Sequence, residues 1–187
     1  MRSLIAEVIA DGTVDAWLND GTRRVLDLCT GNGSLAVLAA MAWPDAAVDA
    51  CDLSADALAV ARINVDRHGL QQRISLRQGD GLAAAAGRYD LILCNPPYVN
   101  AASMRALPAE YRAEPALALA GGDDGMDLVR RILEAAPRYL SENGVLVLEI
   151  GHERANFEAA FPNLQPAWLP TSAGDAQVLL LEQGALP

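Results

Sequence analysis

Four short stretches of the 187-residue sequence carry groups that can bind or activate a small molecule. The first is Asp27-Leu28-Cys29-Thr30-Gly31-Asn32-Gly33, an acid followed by a glycine turn. The others are Asp52-Leu53, Asp80-Gly81 and Asn95-Pro96-Pro97-Tyr98. Gly31 and Gly33 allow the backbone to approach a ligand closely and to turn into a helix N-terminus. Asp52 follows Gly33 by about twenty residues, the separation at which an acid accepts hydrogen bonds from a ribose diol. Asp80 follows a glycine and is a candidate neighbour of an adenine amino group. Two adenosine-bearing cofactors fit this pattern. Gly31-Asn32-Gly33-Ser34-Leu35-Ala36 matches the dinucleotide fingerprint with alanine in the third place. Asp27, just ahead of the turn, favours instead a ligand with cationic groups, S-adenosylmethionine, because an acid there attracts a cation and repels a pyrophosphate.

These stretches need strand ends to hold them. The sequence predicts short apolar strands over 25–28, 47–51, 74–77 and 89–94, each running directly into one of the four. Asn95-Pro96-Pro97 must stop the fourth strand abruptly, since proline removes a backbone donor and fixes φ. Helices are predicted between the strands. One spans 34–42 and stops at Pro44; the next is capped by Ser54, with Leu58, Ala61 and Val65 on one face until Gly69. A further helix over 126–140 is expected to kink or end early at Pro137, ahead of an Asn143-Gly144 turn and a strand over 145–150. A short helix over 154–161 and two strands, near 167–169 and 178–181, complete the pattern. Strands that alternate with helices and are apolar throughout indicate a parallel sheet covered on both faces. The expectation is a doubly wound α/β fold in one domain over 1–187, with a mostly parallel sheet and an antiparallel C-terminal hairpin. Residues 1–22 read as a linker or helical segment. The stretch 95–125 exceeds ordinary connection lengths and reads as a substrate-covering loop.

Composition narrows the function classes. Formal net charge is −10, which argues against unassisted nucleic-acid binding and is compatible with a basic protein partner. No apolar run approaches the roughly 20 residues that span a bilayer, and Glu7 interrupts what would be the apolar region of a signal peptide, so a cytoplasmic protein is expected. The three cysteines, Cys29, Cys51 and Cys94, are too widely spaced for a metal cluster, and their odd number argues against a complete disulfide framework. They read as buried free thiols. His68 and His152, the two histidines, lie far apart, which argues against a histidine triad or metal site.

The segments "VLDLCTGNG" and "LCNPPYV" resemble those of class I, Rossmann-like S-adenosylmethionine-dependent methyltransferases that alkylate a planar exocyclic nitrogen. These comprise the adenine-N6 and cytosine-N4 DNA enzymes and the glutamine-N5 protein enzymes. The resemblance implies a seven-stranded sheet, no metal, and a target NH2 whose two protons are accepted by the Asn95 side-chain oxygen and the Pro96 carbonyl. Tyr98 would stack on the planar group and Pro97 would stiffen the turn. Such acceptors raise the electron density of an otherwise delocalised nitrogen and hold its lone pair in line with the S–CH3 bond. The candidate cofactor contacts are Asp27, Cys29, Thr30, Gly31, Asn32 and Gly33 from the first strand end, Asp52 and Leu53 from the second, Asp80 and Gly81 from the third, and Asn95 from the fourth.

The stretch "LPAEYRAEPALALAGGDDGMDLVRRIL" resembles the corresponding segment of bacterial glutamine-N5 protein methyltransferases. One branch of that family acts on the Gly-Gly-Gln loop of release factors, the other on the third large-subunit ribosomal protein. Glu110-Tyr111-Arg112, Glu114-Pro115 and Trp168-Leu169 resemble the ribosomal-protein branch. Glu114 and its loop are expected to cover the substrate amide. Asn32, Asn100 and Ala173-Gly174-Asp175 depart from the family pattern without removing a proposed binding group. Family members carry an additional helical domain before Arg2-Ser3-Leu4-Ile5-Ala6-Glu7, which resembles the linker behind it. The isolated domain is therefore expected to bind cofactor but to methylate its protein weakly. Rival readings are a DNA amino-methyltransferase, disfavoured by the acidic balance, a non-catalytic cofactor-binding module, and a nicotinamide enzyme.

Overall fold

The computed structural model describes residues 3–19, 21–100 and 121–187. Helix α1 (Ile5–Ala10) precedes strand β1 (Arg24–Leu28), α2 (Ser34–Ala42), β2 (Ala47–Asp52), α3 (Ala55–Arg67), β3 (Ile74–Gln78) and β4 (Tyr89–Cys94). After the loop come α4 (Asp127–Ala135), β5 (Leu140–Glu149), α5 (Arg154–Ala160), β6 (Ala167–Thr171) and β7 (Gly174–Glu182). The seven strands form one sheet in the order β3-β2-β1-β4-β5-β7-β6. β3 through β5 run parallel, and β7 pairs antiparallel with both β5 and β6. This is the doubly wound α/β fold that the sequence predicts.

Period-two alternation places the side chains. Val25, Leu91 and Val145 are neighbours in register on one face, with Leu26, Ile92 and Leu146 on the other. The first row packs with Ile5 and Val8 of α1, Ala36 and Ala40 of α2 and Val65 of α3. The second packs with Val129, Ile132 and Leu133 of α4 and Phe157 of α5. Both faces are covered, which is why the central strands are apolar throughout. α2 has nine residues, fewer than the ~12–15 that hold a helix in water, so burial of Leu35, Ala36, Val37, Ala39 and Ala40 holds it. Ser54 caps α3 by accepting from the Ala57 N–H at 3.2 Å.

The boundaries on either side of Pro137 and Gly144 bear on the sequence reading. α4 stops at Ala135 and Pro137 sits in a 3-10 turn, Ala136–Arg138, so of the two outcomes expected at Pro137 the helix takes the early end. β5 begins at Leu140, which pairs with Tyr89; the next pair is Val145 with Leu91, so residues 141–144 bulge out of the ladder. The Asn143-Gly144 turn lies inside that bulge, where a Cβ on Gly144 would stand 2.8 Å from the Tyr89 carbonyl. Among the described residues no helix is long and apolar enough to cross a membrane.

Candidate functional site

The strand order reverses direction beside β1, whose neighbours are β2 and β4. A crevice opens beyond the carboxyl ends of parallel strands at such a point. Here it has a volume of about 490 Å³ and is lined by Cys29, Gly31, Asn32, Asp52, Leu53, Asp80, Gly81, Asn95 and Pro97. That volume suits a small-molecule ligand. A cavity of similar volume, about 550 Å³, lies near the start of β1 and is lined by Asp15, Arg23, Trp43 and Asp45, away from these groups. Volume does not separate the two; the convergence of strand-end polar groups does.

The turn after β1 is built from unusual backbone. Cys29 has φ +59°, a left-handed conformation that a side chain with a Cβ adopts at a cost of roughly 1–3 kcal/mol. Gly31 and Gly33 are also left-handed, at φ +55° and +77°. A Cβ on Gly33 would stand 2.9 Å from that of Ala61 in α3, whereas one on Gly31 would meet no atom within 4 Å. The turn is thus pinned against α3 through Gly33 and left open at Gly31. The Thr30 N–H donates to the Cys51 carbonyl at 2.9 Å and the Gly31 N–H to Asp52 Oδ2 at 2.8 Å. Asp52 Oδ1 accepts from the Ser54 N–H at 2.8 Å.

Asp27 lies behind the cleft wall. It is fully buried, with Oδ2 accepting from the Thr30 hydroxyl and from the Ala36 N–H at 2.9 Å. Oδ1 has no hydrogen-bond partner among the described residues. Burial pushes its carboxyl up to about 7, against the two hydrogen bonds, with a smaller contribution from the charge of Asp52. The sequence reading gives Asp27 direct access to a ligand. The structure sets it one layer back, because the N-terminal turn of α2 draws Oδ2 inward.

The thiols differ from one another. All three are free. Cys51 and Cys94 are buried, which pushes the Cys51 thiol up to about 12 and the Cys94 thiol well above the ordinary range. Cys29 is half-buried and faces the cleft, contrary to its reading as a core thiol.

Beyond β4, Asn95 is half-buried in the cleft wall, and its carboxamide makes no hydrogen bond among the described residues. Pro96 is buried and Pro97 faces the cleft. Tyr98 stands behind them. Its hydroxyl donates to Glu149 Oε1 at 3.3 Å, and its ring lies so close over Gly151 that a Cβ there would collide with it. The Gly121 N–H donates to the Val99 carbonyl at 2.9 Å, bringing the start of the α4 segment back to this turn. Asn100 donates to Glu153 Oε1 at 2.7 Å.

The structure therefore gathers all four predicted stretches around one cleft, with Asp27, Thr30, Gly33, Pro96 and Tyr98 in supporting positions. Of the 95–125 loop, residues 101–120, with Glu110, Tyr111, Arg112, Glu114 and Pro115, lie outside the described residues. Sequence reasoning misses Asp127, Leu128 and Arg131 of α4, which close the opposite wall. Arg131 donates to Asp80 Oδ2 at 2.7 Å, so the acid proposed beside an adenine is already paired. The signal was present: Asp127 and Arg131 stand four residues apart on a helix whose other side, Val129, Ile132 and Leu133, is buried. Glu149 was missed for a different reason. It ends an apolar strand, and nothing in its sequence neighbours marks its partners.

Comparison with known proteins places this geometry in context. The model of the methyltransferase small domain matches residues 13–110. A ribosomal protein uL3 glutamine methyltransferase of Bordetella pertussis is 63% identical over 99% of this chain and 63% of its own length. The chain thus spans less than two thirds of the length of the curated relatives it matches. Among solved structures, a methyltransferase from Pyrococcus furiosus superposes with a TM-score of 0.67 at 17% identity, covering 97% of this chain and 83% of that one. A 16S rRNA N2 methyltransferase of Thermus thermophilus, solved with AdoMet and guanosine, gives 0.64 at 18% identity over 97% and 43%. These two establish the fold. The family model covers more than half of the sequence and includes the glycine turn, Asp27, Asp52, Asp80 and Asn95 to Tyr98, so the chain belongs to the methyltransferase small domain family.

Proposed function

We propose that this chain carries the catalytic domain of an S-adenosylmethionine-dependent glutamine-N5 methyltransferase whose substrate is ribosomal protein uL3. The observation that carries the reading is the placement of the Asn95 carboxamide, without an internal partner among the described residues, in the same cleft as the glycine turn and Asp52. The uL3 assignment is supported by the name and identity of the Bordetella relative.

The donor set fits S-adenosylmethionine better than a dinucleotide. Asp52, Asp80 and Asp127 line the cleft, with Arg131 as a cation already paired to Asp80, and behind the wall Asp27 Oδ1 has no partner among the described residues. A pyrophosphate would be repelled there, whereas a ligand with sulfonium and ammonium groups is attracted. Asp52 would hold the ribose hydroxyls with its remaining lone pairs, and Leu53 and Val60 would flank the base.

When bound, the cofactor supplies a methyl group made electrophilic by its cationic sulfur. The chain's own residues prepare the acceptor. Asn95 Oδ1 and the Pro96 carbonyl accept the two N–H protons of the glutamine amide, drawing its lone pair out of conjugation. Pro96 and Pro97 fix φ at both positions, so these acceptors are held before the substrate arrives. Held in this way by Asn95 and Pro96, the amide nitrogen would face the methyl donor as nucleophile and would give up one proton to water. Tyr98, fixed by Glu149 and Gly151, limits the orientation of the amide plane.

Incubating the chain with S-adenosylmethionine and separately with uL3, a release factor and duplex DNA, followed by mass spectrometry, tests the proposal. The expected product is one methyl group on a uL3 glutamine. Methylation of the release factor or DNA instead, or of none of them, overturns it.

A further inference from the structure

Glu149 is the last residue of β5 and only 2% exposed. A carboxylate placed there is costly unless donors converge on it. Three do. Oε2 accepts from the Ser3 hydroxyl at 2.5 Å and from the Leu4 N–H at 2.9 Å, while Oε1 accepts from the Tyr98 hydroxyl. The three donors come from two distant parts of the chain: the segment that enters α1, and the turn that follows Asn95. Register explains the meeting. Leu148 pairs with Cys94, so the next residues along the two parallel strands, Glu149 and Asn95, emerge side by side at the cleft end of the sheet. Two residues on, Gly151 packs against the Tyr98 ring. One strand end therefore holds the tyrosine at two points, hydroxyl and ring edge.

We propose that Glu149 is a positioning residue for Tyr98, and that Ser3 and Leu4 set the orientation of its carboxylate, so that the segment ahead of α1 governs the geometry of the target-amide clamp. This inference rests on the function proposed above for Asn95 to Tyr98. A Glu149 free of Ser3 and Leu4 can rotate to satisfy its own charge elsewhere, and the Tyr98 hydroxyl then loses this acceptor.

Glu149→Gln, Tyr98→Phe, the double variant and Ser3→Ala, with Ser3→Thr as the conservative control, test this. The readouts are kcat and KM for uL3 at saturating S-adenosylmethionine, the dissociation constant of S-adenosylhomocysteine, and the 13Cζ resonance of Tyr98 in tyrosine-labelled protein, assigned by its loss in Tyr98→Phe. Glu149→Gln and Tyr98→Phe should each lower kcat by roughly tenfold, the effect of one charge-assisted hydrogen bond, with KM and product affinity little changed. The double variant should lose no more than either single one. Ser3→Ala should shift the Tyr98 resonance in the same direction as Glu149→Gln, and Ser3→Thr should restore it. Losses that multiply in the double variant, or a Tyr98 resonance indifferent to Glu149→Gln, overturn the inference. If Glu149→Gln does not fold, the Ser3 pair decides by the same resonance. Wild-type protein that leaves uL3 unmethylated while the resonance responds refutes the proposed function and leaves the Glu149–Tyr98 coupling standing.

Discussion

The Gly31 N–H donates to Asp52 Oδ2 across 2.8 Å, joining the turn after β1 to the end of β2. The other oxygen of the same carboxylate holds the Ser54 N–H, so Asp52 shapes both the glycine turn and the start of α3. Asp52→Ala removes two backbone acceptors at once. It should lower the affinity for S-adenosylhomocysteine by at least ~10-fold and cost about 1–3 kcal/mol of stability. Asp52→Asn keeps the shape and one acceptor oxygen and should lie between Ala and wild type. Calorimetric titration and urea unfolding of the three proteins check the order.

The cleft was legible where chemistry is tied to a strand end. Alternating helices and strands predict a parallel sheet, and such a sheet forces Asp27, Asp52, Asp80 and Asn95 toward one edge whatever the details of packing. What is not tied to a strand end was harder to see. Arg131 reaches Asp80 across 51 residues of sequence, and only the docking of α4 on the sheet brings them together. Ser3 reaches Glu149 across 146 residues. The inward turn of Asp27 depends on the Ala36 N–H, a backbone group with no identity in the sequence. The bulge at 141–144 was misread as a turn between elements, since Asn-Gly is equally at home in both.

Gly33 and Gly31 share a left-handed backbone but differ in surroundings, and this difference predicts unequal costs. Gly33→Ala brings a methyl to 2.9 Å of the Ala61 Cβ and should destabilise the protein by about 2–4 kcal/mol, through strain in φ together with displacement of α3. Gly31→Ala meets no atom within 4 Å and should cost only about 1 kcal/mol, from the backbone alone. Thermal melts of the two variants should therefore rank Gly33→Ala well below Gly31→Ala. Equal melting points would show that the turn is not pinned to α3.

Asn95 has no structural task among the described residues that would explain an amide at this position. Asn95→Ala should therefore leave the melting temperature within a few degrees of wild type and lower turnover on uL3 by about 10²-fold or more, the scale of losing a preorganised polar group at a reacting centre. Asn95→Asp should be similarly inactive. Its charge still accepts, but it adds a negative charge to a cleft already lined by Asp52, Asp80 and Asp127. Single-turnover assays with affinity for S-adenosylhomocysteine measured in parallel separate this from a binding defect.

Asp27 should make stability and cofactor affinity respond to pH in opposite senses. Its carboxyl titrates at about 7 in the folded protein against 3.8 as the ordinary value, because burial disfavours the charge. With the folded value raised, the unfolded chain binds fewer protons between those limits, so stability is full below about pH 4 and falls as pH rises toward 7. The loss from this one group is on the order of 4 kcal/mol. Asp27→Asn removes the titrating group, and its unfolding free energy should be flatter than that of wild type across the same window. The ionised carboxylate is also the form that attracts a ligand ammonium group, so wild-type affinity for S-adenosylmethionine should rise through pH 7 while stability declines, with proton release on binding seen as buffer-dependent heat. Asp27→Asn should show neither the affinity rise nor the proton release. Parallel pH profiles for the two proteins would assign both effects elsewhere and leave the orphaned Oδ1 as a structural feature only.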